Sequence, residues 1–106
     1  MKKRIKDLSP LERPREKLLE YGADTLSDTE LLAILLRTGT KDKSALELAD
    51  ELMTKFGGLR GLCGRDYDDF KKIKGINDAK LATIVATLEI STRIVRQVLK
   101  EHNLIK

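Results

Sequence analysis

The sequence predicts an all-α fold, a bundle of about five helices, and three observations carry that prediction. Two Ser-x-x-Glu runs, at 27–30 and 44–47, have the form of helix-start capping boxes. Apolar residues recur at spacings of three and four through 28–37, 44–56 and 78–100. Aromatics make up only 4% of the chain, and no stretch alternates apolar and polar residues between turn signals, so no strand is expected.

Residues 1–12 form a basic arm without sustained period, expected to be only partly ordered, and residues 13–106 a single helical domain. The first helix opens at Arg13-Pro14, where proline suits the first turn, and stops at Gly22 with Leu18, Leu19 and Tyr21 as its apolar contacts. Ser27 caps a second helix over 28–37, with Leu31, Leu32, Leu35 and Leu36 on the buried side and a stop at Thr38-Gly39. Ser44 starts the third, carrying Leu48, Leu52 and Met53, and the Gly57-Gly58 pair ends it. Gly61 and Gly64 allow only a turn of helix over 59–66. Asp66 is a plausible cap for a fourth helix, 67–74, that runs to Gly75. Asn77 or Asp78 then caps a long last helix, with Leu81, Ile84, Val85, Leu88, Val95, Val98 and Leu99 at a period near 3.6. Residues 31–52 and 67–88 both read helix, short glycine turn, helix, as a degenerate internal repeat.

At 106 residues the chain is one domain, with a core that must be aliphatic. One cysteine excludes an internal disulfide, and Cys63 is expected as a small buried or half-buried side chain. The single histidine, His102, leaves no His/Cys/carboxylate set for a zinc or Cys–His centre, so neither metal nor cofactor is expected. Asp66, Asp68 and Asp69 fit a negatively charged helix start better than a catalytic cluster. No apolar run reaches the length of a membrane span or a secretory core, so a cytoplasmic protein is the default. Charge is segregated: residues 1–17 carry +4, 18–70 carry −5 and 71–106 carry +5. Basic ends suit nucleic acid or an acidic partner, and solvated helix faces would look the same.

The run Phe70-x-x-Ile73-Lys74-Gly75-Ile76-Asn77-x-x-x-Leu81-Ala82-x-Ile84 resembles the helix-hairpin-helix motif, h-x-x-h-x-G-h-G-x-x-x-A-x-x-h. Gly75 permits a backbone conformation that a β-carbon opposes, and Ile76 can tuck between the helices to brace the turn. The N–H groups opening the last helix then face outward with its positive dipole end, a natural seat for a phosphate oxygen. Lys74, Gly75, Ile76, Asn77, Asp78 and Lys80 are the candidate DNA-binding residues, with Arg37, Thr38, Gly39, Thr40 and Lys41 as a weaker second contact. Asn77 departs from the motif's second glycine, and its side chain could crowd an approaching phosphate. Leu81 stands where the motif has a small residue.

ERPREKLLEYGADTLSDTELLAILLRTGTKDKSALELADEL, followed by FGGLRGL and IKGINDAK, resembles the N-terminal domain of the RadC family of bacterial proteins, of UPF0758 type, over about residues 4–96. The resemblance implies a helix-hairpin-helix domain, here a degenerate tandem one, in a family historically labelled DNA repair. It also implies a following MPN/JAMM domain with a zinc-metallohydrolase signature, an H-x-H pair and downstream Ser and Asp. That signature is not in these residues, so this chain is expected to stop where such a domain would begin and not to be an enzyme itself.

Two functions remain open on the sequence. One is a module that binds DNA without sequence preference through backbone phosphates. The alternative is a docking domain for the JAMM domain or another protein partner, motivated by the acidic middle. The apolar late course of the last helix (Ile94, Val95, Val98, Leu99) adds a dimer as an expected partnership.

Overall fold

The structure is a computed structural model that describes residues 13–106; the basic arm expected over 1–12 lies outside the described residues. Among the described residues there is no strand. Five α-helices follow in order: α1 (Arg13–Tyr21), α2 (Asp28–Leu36), α3 (Ala45–Phe56), α4 (Tyr67–Lys71) and α5 (Asp78–Glu101), with single 3-10 turns at Ala23–Thr25 and Arg60–Leu62. The all-α prediction holds, and so do the five expected helix starts, although the Asp66 side chain makes no capping hydrogen bond at the start of α4.

Local chemistry explains the starts. Ser27 Oγ accepts from the Glu30 amide at 3.1 Å while the Glu30 carboxylate accepts from the Ser27 amide at 2.9 Å. Ser44 and Glu47 repeat the exchange at 3.1 Å each way. Each box satisfies two amides that the helix geometry leaves without partners. Glu30 does more: it also takes the Lys17 ammonium at 3.1 Å and so clips α1 to α2. The Ser27 amide, and then Lys17, hold the Glu30 carboxyl below its ordinary pKa, against an opposing push from burial. α3 ends on Gly57 in the left-handed conformation (φ 77°), as its sequence demands.

α2 packs most extensively on α3 and also touches α1 and α5. Leu32, Ala33 and Leu36 of α2 meet Leu48, Ala49, Leu52 and Phe56 of α3, closed off by Leu62, Phe70, Ile73, Ile76, Leu81 and Ile84. Phe56 and Phe70 stack tilted at 5.1 Å between centroids, with the Arg65 guanidinium 5.0 Å over Phe56.

Several expectations need correction. Leu19 and Tyr21 do not anchor α1; they are exposed, and Pro14 is its buried residue. α2 stops one residue early, at Leu36, and α4 three residues early, at Lys71. Leu31 and Leu35 are half-buried, and Ala33 takes the deep position. Cys63 is exposed. The largest difference lies in α5: only Leu81 and Ile84 are buried, and Val95 and Val98 are exposed although their spacing is correct. From Glu89 to Val98 nothing among the described residues covers the helix.

Candidate nucleic-acid interface

Two loops build the candidate surface, one between α2 and α3 and one between α4 and α5. Gly75 turns the second with φ 102°, a conformation β-carbons resist, and Ile76 is buried at 6% exposure, wedged into the core. A β-carbon on Gly75 would lie 2.3 Å from Thr40 Cγ2, so the two loops are in direct contact. Thr40 in turn folds its own loop: its hydroxyl accepts from the Asp42 and Lys43 amides at 3.2 and 3.0 Å. Gly39 lies so close to the Lys43 carbonyl that a β-carbon would sit at 1.9 Å.

Asn77 resolves the question its sequence raised. It is extended, with φ −85° and ψ 178°, and needs no left-handed backbone. Its side chain is the N-cap of α5, with Oδ1 accepting from the Lys80 amide at 2.9 Å. That amide is therefore occupied. The amides of Gly75, Asp78 and Ala79 meet no acceptor among the described residues. The cap leaves the first N–H groups of α5 pointing to solvent and occupies one that a phosphate would otherwise find.

Lys80 Nζ crosses between the loops and donates to Thr38 Oγ1 at 2.8 Å. Beneath that bridge is a hollow of about 250 Å³, walled by Arg37, Thr38, Asn77, Ala79, Lys80 and Thr83 over Leu35 and Leu36. No carboxylate lines it. The acidic side chains Glu47, Asp50 and Glu51 border a different depression, with Thr29 and Lys43. The acidic middle of the sequence therefore does not share the wall of this hollow. Asp42 and Asp78 are outside its lining and each has a lysine near it: Lys74 Nζ is 3.8 Å from Asp42 and Lys71 Nζ 3.7 Å from Asp78. Both pairs are exposed and long, each worth between zero and about 1 kcal/mol, so an incoming phosphate can displace them.

Arg37 supplies a feature that nothing in the sequence signalled. It adopts φ 69°, ψ −50°, and the Thr38 amide reaches back to the Leu36 carbonyl at 2.7 Å. This is a γ-turn of the rare, strained hand. Strain of this kind in a non-glycine residue is typically ~1–3 kcal/mol and clusters at functional sites. The turn ends α2 abruptly and throws the exposed Arg37 side chain to the rim of the hollow.

The sequence-predicted residues thus fall into one neighbourhood in which only some can touch a ligand. Thr38, Arg37, Asn77 and Lys80 line the hollow, Lys41, Lys74 and Asp78 are exposed on the loops, and Ile76, Gly39, Thr40 and Gly75 shape the backbone from behind. Thr83, one turn along α5, joins the wall unannounced. Its hydroxyl donates to the Ala79 carbonyl at 3.0 Å, so spacing alone did not mark it. Among the described residues no three His, Cys, Asp or Glu are grouped to hold a metal ion, and no helix is long and apolar enough to cross a membrane.

Residues 5–82 match the family model described as UPF0758 N-terminal. A UPF0758 protein of Clostridium botulinum (strain Eklund 17B / Type B) is 51% identical over 90 residues, covering 85% of this chain and 39% of the relative. One from Albidiferax ferrireducens is 48% identical over 110 residues, covering 94% of this chain and 47% of its own length. One from Saccharophagus degradans is 56% identical over 82 residues, covering 77% and 37%. The chain spans less than half the length of these curated relatives. No solved structure matches it.

Proposed function

The chain belongs to the UPF0758 family, whose N-terminal domain its residues match, consistent with the RadC resemblance, and from that premise we propose that it binds DNA through backbone phosphates. The observation that carries the reading is the meeting of two basic loops, 37–41 and 74–80, about one hollow free of carboxylates. A phosphate oxygen seated there accepts from the Asp78 and Ala79 amides at the positive end of α5, a 24-residue helix. Lys80 leaves Thr38 to contact it, and Arg37, Lys41 and Lys74 neutralise neighbouring phosphates. In this reading the two hairpins act as the degenerate tandem helix-hairpin-helix that the sequence resembles.

The recognition is of backbone, not of bases. Phe56 and Phe70 are in the core and unavailable for stacking, and no helix carries a base-reading set beside the hollow. Affinity is then moderate and salt-dependent, with log K falling by about 0.9 per phosphate neutralised for each decade of salt.

Titration of a labelled duplex at low salt tests the proposal. Binding near the micromolar range is expected, lost on charge reversal at both Lys74 and Lys80, as for ordinary nonspecific binders. Binding absent at ~100 μM, or untouched by the double reversal, overturns it and favours the docking alternative.

A further inference from the structure

The hollow between the two loops offers more donors than a phosphate within a strand can use. Four side chains on its wall carry hydrogens: Arg37 and Thr38 from the first loop, Asn77 and Lys80 from the second hairpin. The Thr38 hydroxyl accepts from Lys80, and its own hydrogen meets no acceptor among the described residues. Asn77 gives its Oδ1 to the Lys80 amide, and its Nδ2 donates to nothing there. Only the Thr83 hydroxyl is already committed, to the Ala79 carbonyl. Charge follows the same division. Lys71 and Lys74, outside the lining, each have an aspartate near them, at 3.7 and 3.8 Å. Arg37 and Lys80, on the wall, have no carboxylate partner among the described residues. The hollow therefore holds two uncompensated positive charges over an apolar floor of Leu35 and Leu36.

We infer that the hollow takes a phosphate monoester, the group at a phosphorylated end of a DNA strand, in preference to a phosphodiester within the strand. The inference rests on the phosphate reading of this hollow and names which phosphate it selects. Charge decides first. A phosphodiester carries one negative charge, whereas a monoester carries about −1.5 to −2 at neutral pH and so matches two cations. Oxygen count decides next. A diester presents two free oxygens, and its two ester arms occupy directions from which donors could reach the phosphorus. A monoester presents three free oxygens and one arm, which suits donors arriving from two loops. Size agrees: about 250 Å³ is the liquid volume of roughly eight waters, enough for one phosphate and part of its sugar but not for a run of backbone. The exposed Lys41 and Lys74 are left for the phosphates that follow the end.

Titration of the 106-residue chain with one short duplex, phosphorylated at its 5′ ends, at its 3′ ends or at neither, is the test. Phosphorylated ends should bind about tenfold tighter, the worth of one further charge-assisted hydrogen bond. Arg37→Gln with Lys80→Gln should bring the ratio of the two affinities to about one. Lys55→Gln with Arg96→Gln removes the same charge outside the hollow and should leave the ratio standing. Thymidine monophosphate identifies the source of the ester. Competition at the concentration of the phosphorylated duplex marks a free nucleotide, and competition only in roughly tenfold or greater excess marks a strand end with its neighbouring phosphates. Equal affinity for phosphorylated and hydroxyl ends overturns the inference and leaves backbone binding standing. Binding of phosphorylated ends alone supports the inference and overturns the backbone reading. No binding of any duplex at ~100 μM overturns both. An advantage that survives the Arg37 and Lys80 substitutions places the end elsewhere and overturns the inference.

Discussion

The two loops that meet at the hollow reach similar ends by opposite local means. Between α4 and α5 the chain is relaxed: Gly75 supplies the positive φ, Ile76 anchors the turn in the core, and Asn77 caps the next helix with ordinary extended backbone. Between α2 and α3 the chain is strained: an arginine takes the positive φ, and the backbone at Gly39 touches the start of α3 with no room for a β-carbon. A sequence optimised only for stability would place glycine at position 37. Arginine there, at the rim of a basic hollow, suggests that its charge is worth more to the molecule than the strain it carries.

Substitutions separate the two loops, and the largest effect is expected at Gly39. Gly39→Ala drives a β-carbon against backbone atoms of Lys43 and Ser44 that cannot rotate aside, and should destabilise by about 3 kcal/mol or more in urea denaturation. Gly75→Ala should lower stability by about 2 kcal/mol, from its φ and from the Thr40 methyl. Thr40→Ser removes that methyl and keeps the hydroxyl, so it should restore part of the loss in a double-mutant cycle. Additive losses would mean that the loops are not in contact.

Arg37→Gly carries the comparison further, because stability and binding should move in opposite directions. Relief of the γ-turn should raise stability by about 1 kcal/mol, while loss of one cation weakens duplex binding several-fold and flattens its salt dependence by about one phosphate. Unchanged stability would show that Arg37 stores no strain. On the relaxed side, Asn77→Gly should lower stability by only a few tenths of a kcal/mol, since glycine is a tolerable N-cap, whereas Asn77→Ala loses about 1 kcal/mol. Asn77→Gly also releases the Lys80 amide, so duplex binding should tighten slightly.

The smallest effect belongs to the far end of α2, away from both loops. The Glu30 carboxyl is held below its ordinary value of 4.5, first by the Ser27 amide. A depressed carboxylate contributes fully above that value and loses its contribution as pH falls through the folded pKa, because the unfolded chain takes up the proton first. Stability should therefore decline on acidification below about 4.5, and Glu30→Gln should blunt that decline.

Short-range chemistry made much of this fold legible. Both capping boxes, the Gly57 stop and the Asn77 cap depend on residues within a few positions of one another, and each appears where its residues put it. Ile76 was readable as a brace because a lone apolar residue on a turn has few other uses. What escaped was whatever needed a distant partner. Leu19 and Val95 have the right spacing for burial, but nothing in the described residues covers them. Arg37 has no local signal for the γ-turn it adopts. The contact of Thr40 with Gly75 spans the two hairpins, which is why the first loop read as a weaker, separate contact.

The central claim is that the loops at 37–41 and 74–80 form one phosphate-binding surface, and amide NMR of the labelled chain titrated with a short duplex tests it most directly. The amides of Thr38, Lys41, Gly75, Asp78 and Ala79 should shift together, with one dissociation constant, and return as salt is raised. Shifts confined to one loop, or appearing only along residues 90–105 of α5 and its tail, would contradict it.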